Sequence, residues 1–389
     1  MRTPNAHSSP NGEEAPGKGT GSNSSVTIPE HHRASRIDSD TAAKDRSDFE
    51  ERPRLALISP KNRSFIRQDE ALLRRHFSLR TVSYEYQDPT SIAMLVPRTL
   101  VAVVHSDVVL CWFGSFHALI AVALCKLLGR KSIVVAGGYD SVSVPEIKYG
   151  LFYRRLVAWI PKFAFMGADL VLPVSRSIRQ DLASHVTIPE KKIRLVYHGF
   201  DYSRYSPAGP KEAIVLTVGG AANVRAMLRK GLDRFVDVAR LLPSLRFEVV
   251  GPLSRECLSL LEQRAFRNVS FLGFLTPSQL LSEMRRSMVY VQLSRHEGFG
   301  CSLAESMACG CVPIVAATGA LPEVVGGAGF VVNPENPAET ARAIEKAIHE
   351  HQALSPIART RILRTFPLTL REHGLLEAVG SLAVDGKRW

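Results

Sequence analysis

The sequence predicts an α/β protein of two successive domains, each with a parallel β-sheet flanked by helices. From Arg54 onward, short runs rich in β-branched residues alternate with longer amphipathic segments, which is typical of strands joined by crossover helices. The alternation pauses at "DYSRYSPAGPKE" and then starts again. A chain of 389 residues is also too long for one ordinary hydrophobic core.

Each half of the chain has its own series of predicted strands. In the first half they are "LALIS", "VVLCWF", "SIVVA", "LVLPV" and "IRLVY"; in the second they are "AIVLTVGG", "RFEVVG", "VSFLG", "MVYVQL", "VPIVA" and "GFVV". This places a first domain at residues 54–205 and a second at 206–365, followed by a helical segment at 366–389. Residues 1–53 contain few large apolar side chains, and we expect a disordered tail there.

Composition narrows the class of protein. The net charge is +12, and residues 54–205 carry +10 of it, so an anionic substrate, nucleic acid or membrane are all candidate partners. The chain lacks interleaved aromatic residues and any recognised nucleic-acid module, which argues against nucleic acid. We find no signal peptide and no apolar run of membrane-spanning length, and therefore expect a cytoplasmic protein. The six cysteines show no metal-site spacing, and the only DxD, Asp38-Ser39-Asp40, falls in the tail.

Two glutamates bracket a glycine-rich turn in "SRHEGFGCSLAESMACG", where a buried strand ends and a short helix begins. Free N–H groups at such a helix start favour a phosphate, and Gly298 and Gly300 allow close approach of the backbone. Glu305 is then placed to accept hydrogen bonds from a ribose diol, and Glu297 to hold hydroxyls of a second sugar. Carboxylates beside a diphosphate are tolerated only where they face hydroxyl groups.

Around this pair, "EGFG", "LAE", "MACG" and "VPIVA" resemble the retaining glycosyltransferases of family 4, whose signature is E-x7-E. Glu297 and Glu305 match that signature in full, and the resemblance covers roughly residues 54 to 380. It implies the GT-B fold, in which two Rossmann-like domains face each other across a cleft and a C-terminal helix crosses back to the first domain. It also implies a hexosyltransferase-like enzyme that uses a nucleotide-diphosphate sugar.

The resemblance assigns roles to further residues of the second domain. Lys230 in "RKGLD" matches the lysine placed against the donor diphosphate, and Arg229 is its neighbour, so these two and Glu297 are the expected catalytic residues. Where relatives have an arginine after the first strand, this chain has Gly220, and Arg225 is the candidate to replace that charge. The expected donor-binding residues are, in full, Gly220, Arg225, Gly298, Phe299, Gly300, Cys301, Ser302 and Glu305.

The sequence says less about the residues that bind the acceptor. In "SIVVAGGYDSVSVPEIKYG", Gly137 and Gly138 stand where many relatives have a histidine beside the reacting sugar. Asp140 and His117 are candidates to replace it, and both can equally be structural residues. We therefore name Gly138, Asp140 and His117 as acceptor-side candidates.

Two basic segments suggest contact with a carrier lipid or an anionic membrane. One is the set Lys61, Arg63, Arg67, Arg74 and Arg75. The other is "YRRLVAWIPKFAFMG", residues 153–167, for which we favour a core helix over a membrane-surface helix.

The sequence thus predicts a retaining glycosyltransferase, without metal or other cofactor, acting on a glycan, lipid-linked or small-molecule acceptor in surface polysaccharide or glycoconjugate biosynthesis. The alternatives are a catalytically weak nucleotide-binding relative, a GT-B phosphorylase and a sugar-nucleotide epimerase.

Overall fold

The structure is a computed structural model that describes residues 52–61 and 63–382. All but the last two residues of the predicted disordered tail lie outside this range, as does Asp38-Ser39-Asp40. The strands are β1 (Arg54–Pro60), β2 (Ser78–Tyr84), β3 (Val108–Trp112), β4 (Lys131–Ala136), β5 (Leu170–Pro173), β6 (Glu212–Val218), β7 (Arg246–Val250), β8 (Val269–Gly273), β9 (Ser287–Gln292), β10 (Val312–Ala316) and β11 (Phe330–Val332).

The helices alternate with these strands. They are α1 (Ser64–His76), α2 (Pro89–Ala93), α3 (Leu95–Val104), α4 (Phe116–Leu127), α5 (Trp159–Gly167), α6 (Arg176–Ala183), α7 (Val224–Lys230), α8 (Leu232–Ala239), α9 (Arg255–Arg264), α10 (Pro277–Arg286), α11 (Cys301–Ala308), α12 (Leu321–Val325), α13 (Pro337–His349), α14 (His351–Thr365) and α15 (Leu368–Gly380).

The strands form two parallel sheets, in the orders β2-β1-β3-β4-β5 and β11-β10-β9-β6-β7-β8. The central strands are buried on both faces because helices cover both sides, which explains their continuous apolar runs. The predicted α/β fold of two parallel-sheet domains is confirmed.

Strand prediction was complete in the second domain and failed twice in the first. All six runs predicted after the linker are strands. In the first domain "SLRTVSY" forms edge strand β2, which was missed because an edge strand is only half buried and its sequence is largely polar. "IRLVY" lies beside β5 with a single β-bridge, Val171 to Ile193, and is not a strand.

The C-terminal helix α15 packs on α1 of the first domain. The contact is centred on Arg371, whose guanidinium donates two hydrogen bonds to Asp69, from Nε at 3.0 Å and from Nη2 at 2.6 Å. Both side chains are buried, and the indole of Trp112 donates to the same carboxylate. A buried ion pair with such additional hydrogen bonds fixes the geometry of the contact.

We interpreted residues 153–167 as a core helix, but helix α5 in this segment is only partly buried. It buries Pro161, Ala164 and Phe165, whereas Trp159 and Phe163 are each more than half exposed. Within residues 52–61 and 63–382, no helix combines the length and apolar character that crossing a membrane requires.

Candidate functional site

The loops that follow the carboxyl ends of both sheets meet at one place, where ligands collect in open α/β sheets. The first domain contributes the loop after β4, residues 137–150, and the second contributes the turn after β9, residues 293–300. The two backbones are in close contact: a Cβ atom added to Gly298 would lie 2.4 Å from the carbonyl oxygen of Gly137. Ser175 Oγ also donates to the carbonyl of Gly298 at 2.8 Å.

Glu297 lies at the centre of the second-domain side of this site. Lys230 Nζ donates to its Oε2 at 2.8 Å, and Gln292 Nε2 donates to the same oxygen at 2.9 Å. A guanidinium nitrogen of Arg229 lies 3.8 Å from that oxygen. Burial would raise the pKa of Glu297, but the charges of Lys230 and Arg229 outweigh it and lower the pKa below its usual value. The three predicted catalytic residues therefore lie together, with Glu297 ionised.

A glycine and an ion pair hold Lys230 and Arg229 beside the turn. Gly231 ends α7 in the left-handed region, with φ +68°, and a Cβ there would lie 2.0 Å from the carbonyl oxygen of Leu293. Arg295 forms two hydrogen bonds with Asp233, of 2.9 and 2.8 Å, and its amide donates to the carbonyl of Arg229. Helix α7 is thereby fixed against the turn that carries Glu297.

The start of α11 presents unused backbone donors. Its N-cap, Gly300, has φ +95°, and no amide of residues 298 to 303 donates to an acceptor in the described part of the chain. Such amides and the positive end of the helix dipole together form a site for an anion. Lys230 and Arg229 carry the neighbouring positive charge.

Glu305 lies on the second turn of α11 and lines a cavity of about 670 Å³ between the two domains. The phenol of Tyr205 donates to its Oε1 at 3.0 Å. Burial raises the pKa of Glu305 to about 7, although Tyr205 and the charge of Arg204 oppose the shift. The cavity wall combines apolar and basic side chains: Phe274, Leu275, Leu280, Leu281, Arg67, Arg75 and Arg204.

The other expected donor-binding residues are placed less uniformly. Phe299 has a side chain that is 3% exposed and packs on Phe200, Phe366 and His198, so only its amide faces the site. Cys301 is the first residue of α11 and lines the cavity, and Ser302 follows it in the first turn.

Gly220 and Arg225 lie beyond the carboxyl end of β6. Gly220 adjoins Pro252, since a Cβ atom there would meet the proline ring at 3.2 Å. Arg225 is exposed in the first turn of α7, one turn before Arg229.

On the acceptor side, two of the three candidate residues are buried in the first domain. His117 is fully buried: its Nδ1 lies 2.7 Å from the hydroxyl of Tyr84 and its Nε2 lies 2.8 Å from the carbonyl of Trp112. Burial lowers its pKa to about 4, so the ring is neutral.

Asp140 is also buried, and it serves the loop after β4. Its carboxylate accepts amide hydrogen bonds from Gly114 at 2.7 Å, Gly137 at 3.1 Å and Gly138 at 2.9 Å. Burial raises its pKa more than these bonds lower it. Asp140 fixes the shape of the loop, and Gly138 lies directly against Gly298.

Several functional neighbours gave no signal in the sequence. Tyr149 stacks under the guanidinium of Arg229, 5.1 Å from ring centroid to Cζ, although the two belong to different domains. Tyr205, which contacts Glu305, lies 100 residues before it. Gln292 is the exception: it is the last residue of the strand that leads into the turn, and this position could have identified it as a site residue.

Glu323, in the first turn of α12, contacts the first domain. Its carboxylate accepts from the amides of Arg176 and Ser177 at the start of α6, and from the hydroxyl of Tyr197 at 2.6 Å. It therefore joins the two domains. In the described part of the chain no group of three or more His, Cys, Asp or Glu side chains is arranged to hold a metal ion.

Comparison with known proteins identifies the family. The profile of Glycosyltransferase Family 4 matches residues 49–204, and that of Glycosyl transferases group 1 matches residues 204–361. One subunit of the phosphatidylinositol N-acetylglucosaminyltransferase of Arabidopsis thaliana is 25% identical over 203 residues, which is 50% of this chain and 45% of that protein. GDP-mannose:cellobiosyl-diphosphopolyprenol alpha-mannosyltransferase of Xanthomonas oryzae is 26% identical over 279 residues, which is 67% of this chain and 68% of that protein.

The fold is shared with solved structures. Anabaena HepE, solved in complex with UDP, superposes with a TM-score of 0.67 at 17% identity, covering 84% of this chain and 100% of that one. The match to the curated Arabidopsis protein is shorter: this chain spans less than half of that protein's length. With two adjoining family profiles and the two-sheet architecture in agreement, the chain belongs to the group 1 glycosyltransferases of family 4 and has the GT-B fold.

Proposed function

We propose that this protein transfers a sugar, with retention of anomeric configuration and without a metal ion, from a nucleotide-diphosphate sugar to a glycan, lipid-linked or small-molecule acceptor. The observation that carries the proposal is the convergence of Lys230, Arg229 and the unused amides of α11 around Glu297, beside the cavity that holds Glu305. The names of two relatives describe sugar transfer, one of them from GDP-mannose to a diphosphopolyprenol-linked glycan. Surface polysaccharide or glycoconjugate biosynthesis is the corresponding role.

The donor is held by contacts with each of its parts. The diphosphate lies on the amides at the start of α11, next to Lys230 and Arg229. The ribose hydroxyls donate to Glu305, and the apolar wall at Leu275 and Leu281 covers the base. Glu297 receives hydroxyls of the transferred sugar, where its charge is separated from the diphosphate by Lys230.

In the reaction the bond between the anomeric carbon and the diphosphate oxygen breaks, and a bond from the acceptor oxygen to that carbon forms on the same face. The acceptor hydroxyl gives its proton to the departing diphosphate. Lys230, Arg229 and the α11 amides stabilise the negative charge that develops there, and each well-placed donor contributes about 3 kcal/mol. Because these cations neutralise the leaving group, we expect transfer to persist in EDTA.

One observation favours a second candidate, a catalytically weak relative that binds nucleotide. Asp140 and His117, the residues that were candidates to replace the usual histidine, form their hydrogen bonds within the first domain. A phosphorylase or an epimerase is distinguished by its products, since neither joins the sugar of the nucleotide donor to an acceptor hydroxyl.

The test begins with thermal protection by UDP-, GDP- and ADP-sugars, since a ligand that binds only the folded form raises the melting temperature. With the donor identified, Glu305→Ala should weaken nucleotide binding about 10- to 100-fold. Lys230→Ala should mainly lower kcat, by about 100- to 1,000-fold.

Lys346→Ala is the matched control, because Lys346 is exposed and pairs with Glu350 at the end of α13. Protection without sugar transfer to any acceptor would favour the weak relative. Wild-type turnover in both site variants would overturn the assignment.

A further inference from the structure

The first domain carries an uncovered helical layer on one face of its sheet. Helix α3 connects β2 to β3, α4 connects β3 to β4, and α5 connects β4 to β5. All three connections advance in the same direction across the sheet. Right-handed crossovers place all three helices on one face, and α4 packs against both α3 and α5. We call these helices, with residues 154–158 before α5, the α3–α5 layer.

This layer exposes an unusual amount of apolar surface. More than half of the large apolar side chains that are exposed in the described part of the chain belong to it or to residues directly flanking its helices. On α5, Trp159, Phe163 and Met166 recur at helical spacing, and Trp159 is 52% and Phe163 54% exposed. Val96, Leu100 and Val104 form a similar stripe on α3. Clusters of exposed apolar side chains on neighbouring helices are typical of interaction sites.

The charges of the layer have one sign. Helices α3, α4 and α5 contain no aspartate or glutamate. Exposed cations lie beside the apolar stripes: Arg98 on α3, Lys126 on α4, Lys162 on α5, and Arg154 and Arg155 just before it. Apolar and aromatic side chains flanked by cations are suited to a surface that is anionic outside and apolar beneath.

We propose that the α3–α5 layer docks on the surface of an anionic lipid bilayer. A second copy of the chain would bring the same cations face to face. Their repulsion would not be compensated, because the three helices contain no carboxylates. Helices in crossover units run antiparallel to their strands, so all three begin at the edge of the sheet where the cleft lies. Docking therefore brings the mouth of the cleft to the bilayer, where a lipid-linked acceptor would lie. That the acceptor is lipid-linked rests on the function proposed above.

Of the two basic segments noted in the sequence, the one that includes Arg67 and Arg75 lies on a different surface. Arg67 and Arg75 belong to α1 and line the cavity between the domains. They are not part of the layer, whereas the second basic segment, residues 153–167, belongs to it and supplies Trp159, Lys162 and Phe163.

The experiment measures co-sedimentation of the full chain with vesicles of phosphatidylcholine alone or mixed with phosphatidylglycerol. We expect binding to the mixed vesicles that weakens with added salt, and weak or absent binding to phosphatidylcholine. Trp159→Ser with Phe163→Ser should lose most of the binding. Lys162→Ala and Arg155→Ala should each weaken it about five-fold, from about 1 kcal/mol per cation.

The matched control is Ile357→Ser with Leu370→Ser, which removes two equally exposed apolar side chains outside the layer and should bind like wild type. A second readout uses Trp389→Phe, in which Trp112, fully buried, and Trp159 remain. Brominated lipids should quench Trp159 selectively, and Trp159→Phe should bind but lose the quenching.

Equal binding to both vesicle types, no binding, or loss of binding in the control variant would overturn the proposal. A dimer in sedimentation velocity that is dispersed by the Trp159 and Phe163 changes would assign the face to a second copy instead. Nucleotide protection is measured on the same variants, so failure of docking is distinguished from failure of the proposed function.

Discussion

The two sides of the cleft are built in opposite ways. On the second-domain side, Lys230 and Arg229 share one carboxylate, and the amides of residues 298 to 303 have no acceptor in the described part of the chain. On the first-domain side, Asp140 accepts three loop amides and both ring nitrogens of His117 are engaged. The second domain therefore offers side-chain charge and free donors to a ligand, whereas the first offers a backbone surface of fixed shape.

Among the variants that test this contrast, the largest effect is expected where the two sides touch. Gly298→Ala places a methyl group 2.4 Å from the carbonyl oxygen of Gly137, so the loops must separate. Because a displacement of about 1 Å at a reacting centre costs about 100-fold, we expect kcat to fall by that factor. Initial rates and the radius of gyration from X-ray scattering measure the two consequences. An unchanged kcat with an unchanged radius would show that contact between the loops is not required.

Asp140→Asn tests whether the first-domain side acts through shape alone. An amide has a single acceptor oxygen, so at least one of the three loop amides is left without a partner in the interior. We expect the free energy of unfolding to fall by about 2–3 kcal/mol, measured by urea denaturation. Asp237→Asn, which alters an exposed pair with Arg264, should cost less than about 1 kcal/mol.

Nucleotide affinity should be nearly unchanged in Asp140→Asn, because the proposed donor contacts belong to the second domain and the linker. If the variant folds as stably as wild type but fails to bind nucleotide, Asp140 has a direct role and the contrast between the two sides fails.

The same contrast explains what the sequence allowed us to predict. Glu297 and Glu305 lie on one strand–turn–helix unit, so their spacing determines their relative position and could be read directly. Asp140 and His117 could not be assigned, because their roles depend on which backbone groups the fold brings to them. The contact between Arg229 and Tyr149 joins residues 80 positions apart in different domains, and no local pattern encodes it.

Glu305→Gln tests the charge on the donor side without a ligand. The pKa of Glu305 is about 7 in the folded protein, above the ordinary value near 4.3 of the unfolded chain. The folded state therefore binds the proton more tightly, and its stability falls as pH rises from about 4 to about 7 and is then constant. At pH 8 the glutamine variant should be more stable than wild type by about 1–3 kcal/mol, allowing for partial exposure.

The difference between Glu305→Gln and wild type should vanish towards pH 4. Thermal denaturation across this pH range measures it, with Glu262→Gln on the exposed side of α9 as the control. Equal stability of wild type and Glu305→Gln at pH 8 would mean that Glu305 carries no buried charge.

The smallest effect is expected from Tyr205→Phe, which removes the hydrogen bond to Glu305 and leaves the ring. That bond lowers the pKa of Glu305, so its loss raises the pKa further. The ionised carboxylate is the stronger acceptor for both ribose hydroxyls, and nucleotide binding should therefore weaken at a higher pH than in wild type. Near pH 7 we expect the free energy of nucleotide binding to weaken by about 0.5–1.5 kcal/mol, and this loss should decrease as the pH is raised. Calorimetric titrations with the nucleoside diphosphate from pH 6 to about pH 9 measure this shift. An equal loss at every pH would assign Tyr205 to packing against the nucleotide, and the donor side would then depend less on charge than the comparison of the two domains implies.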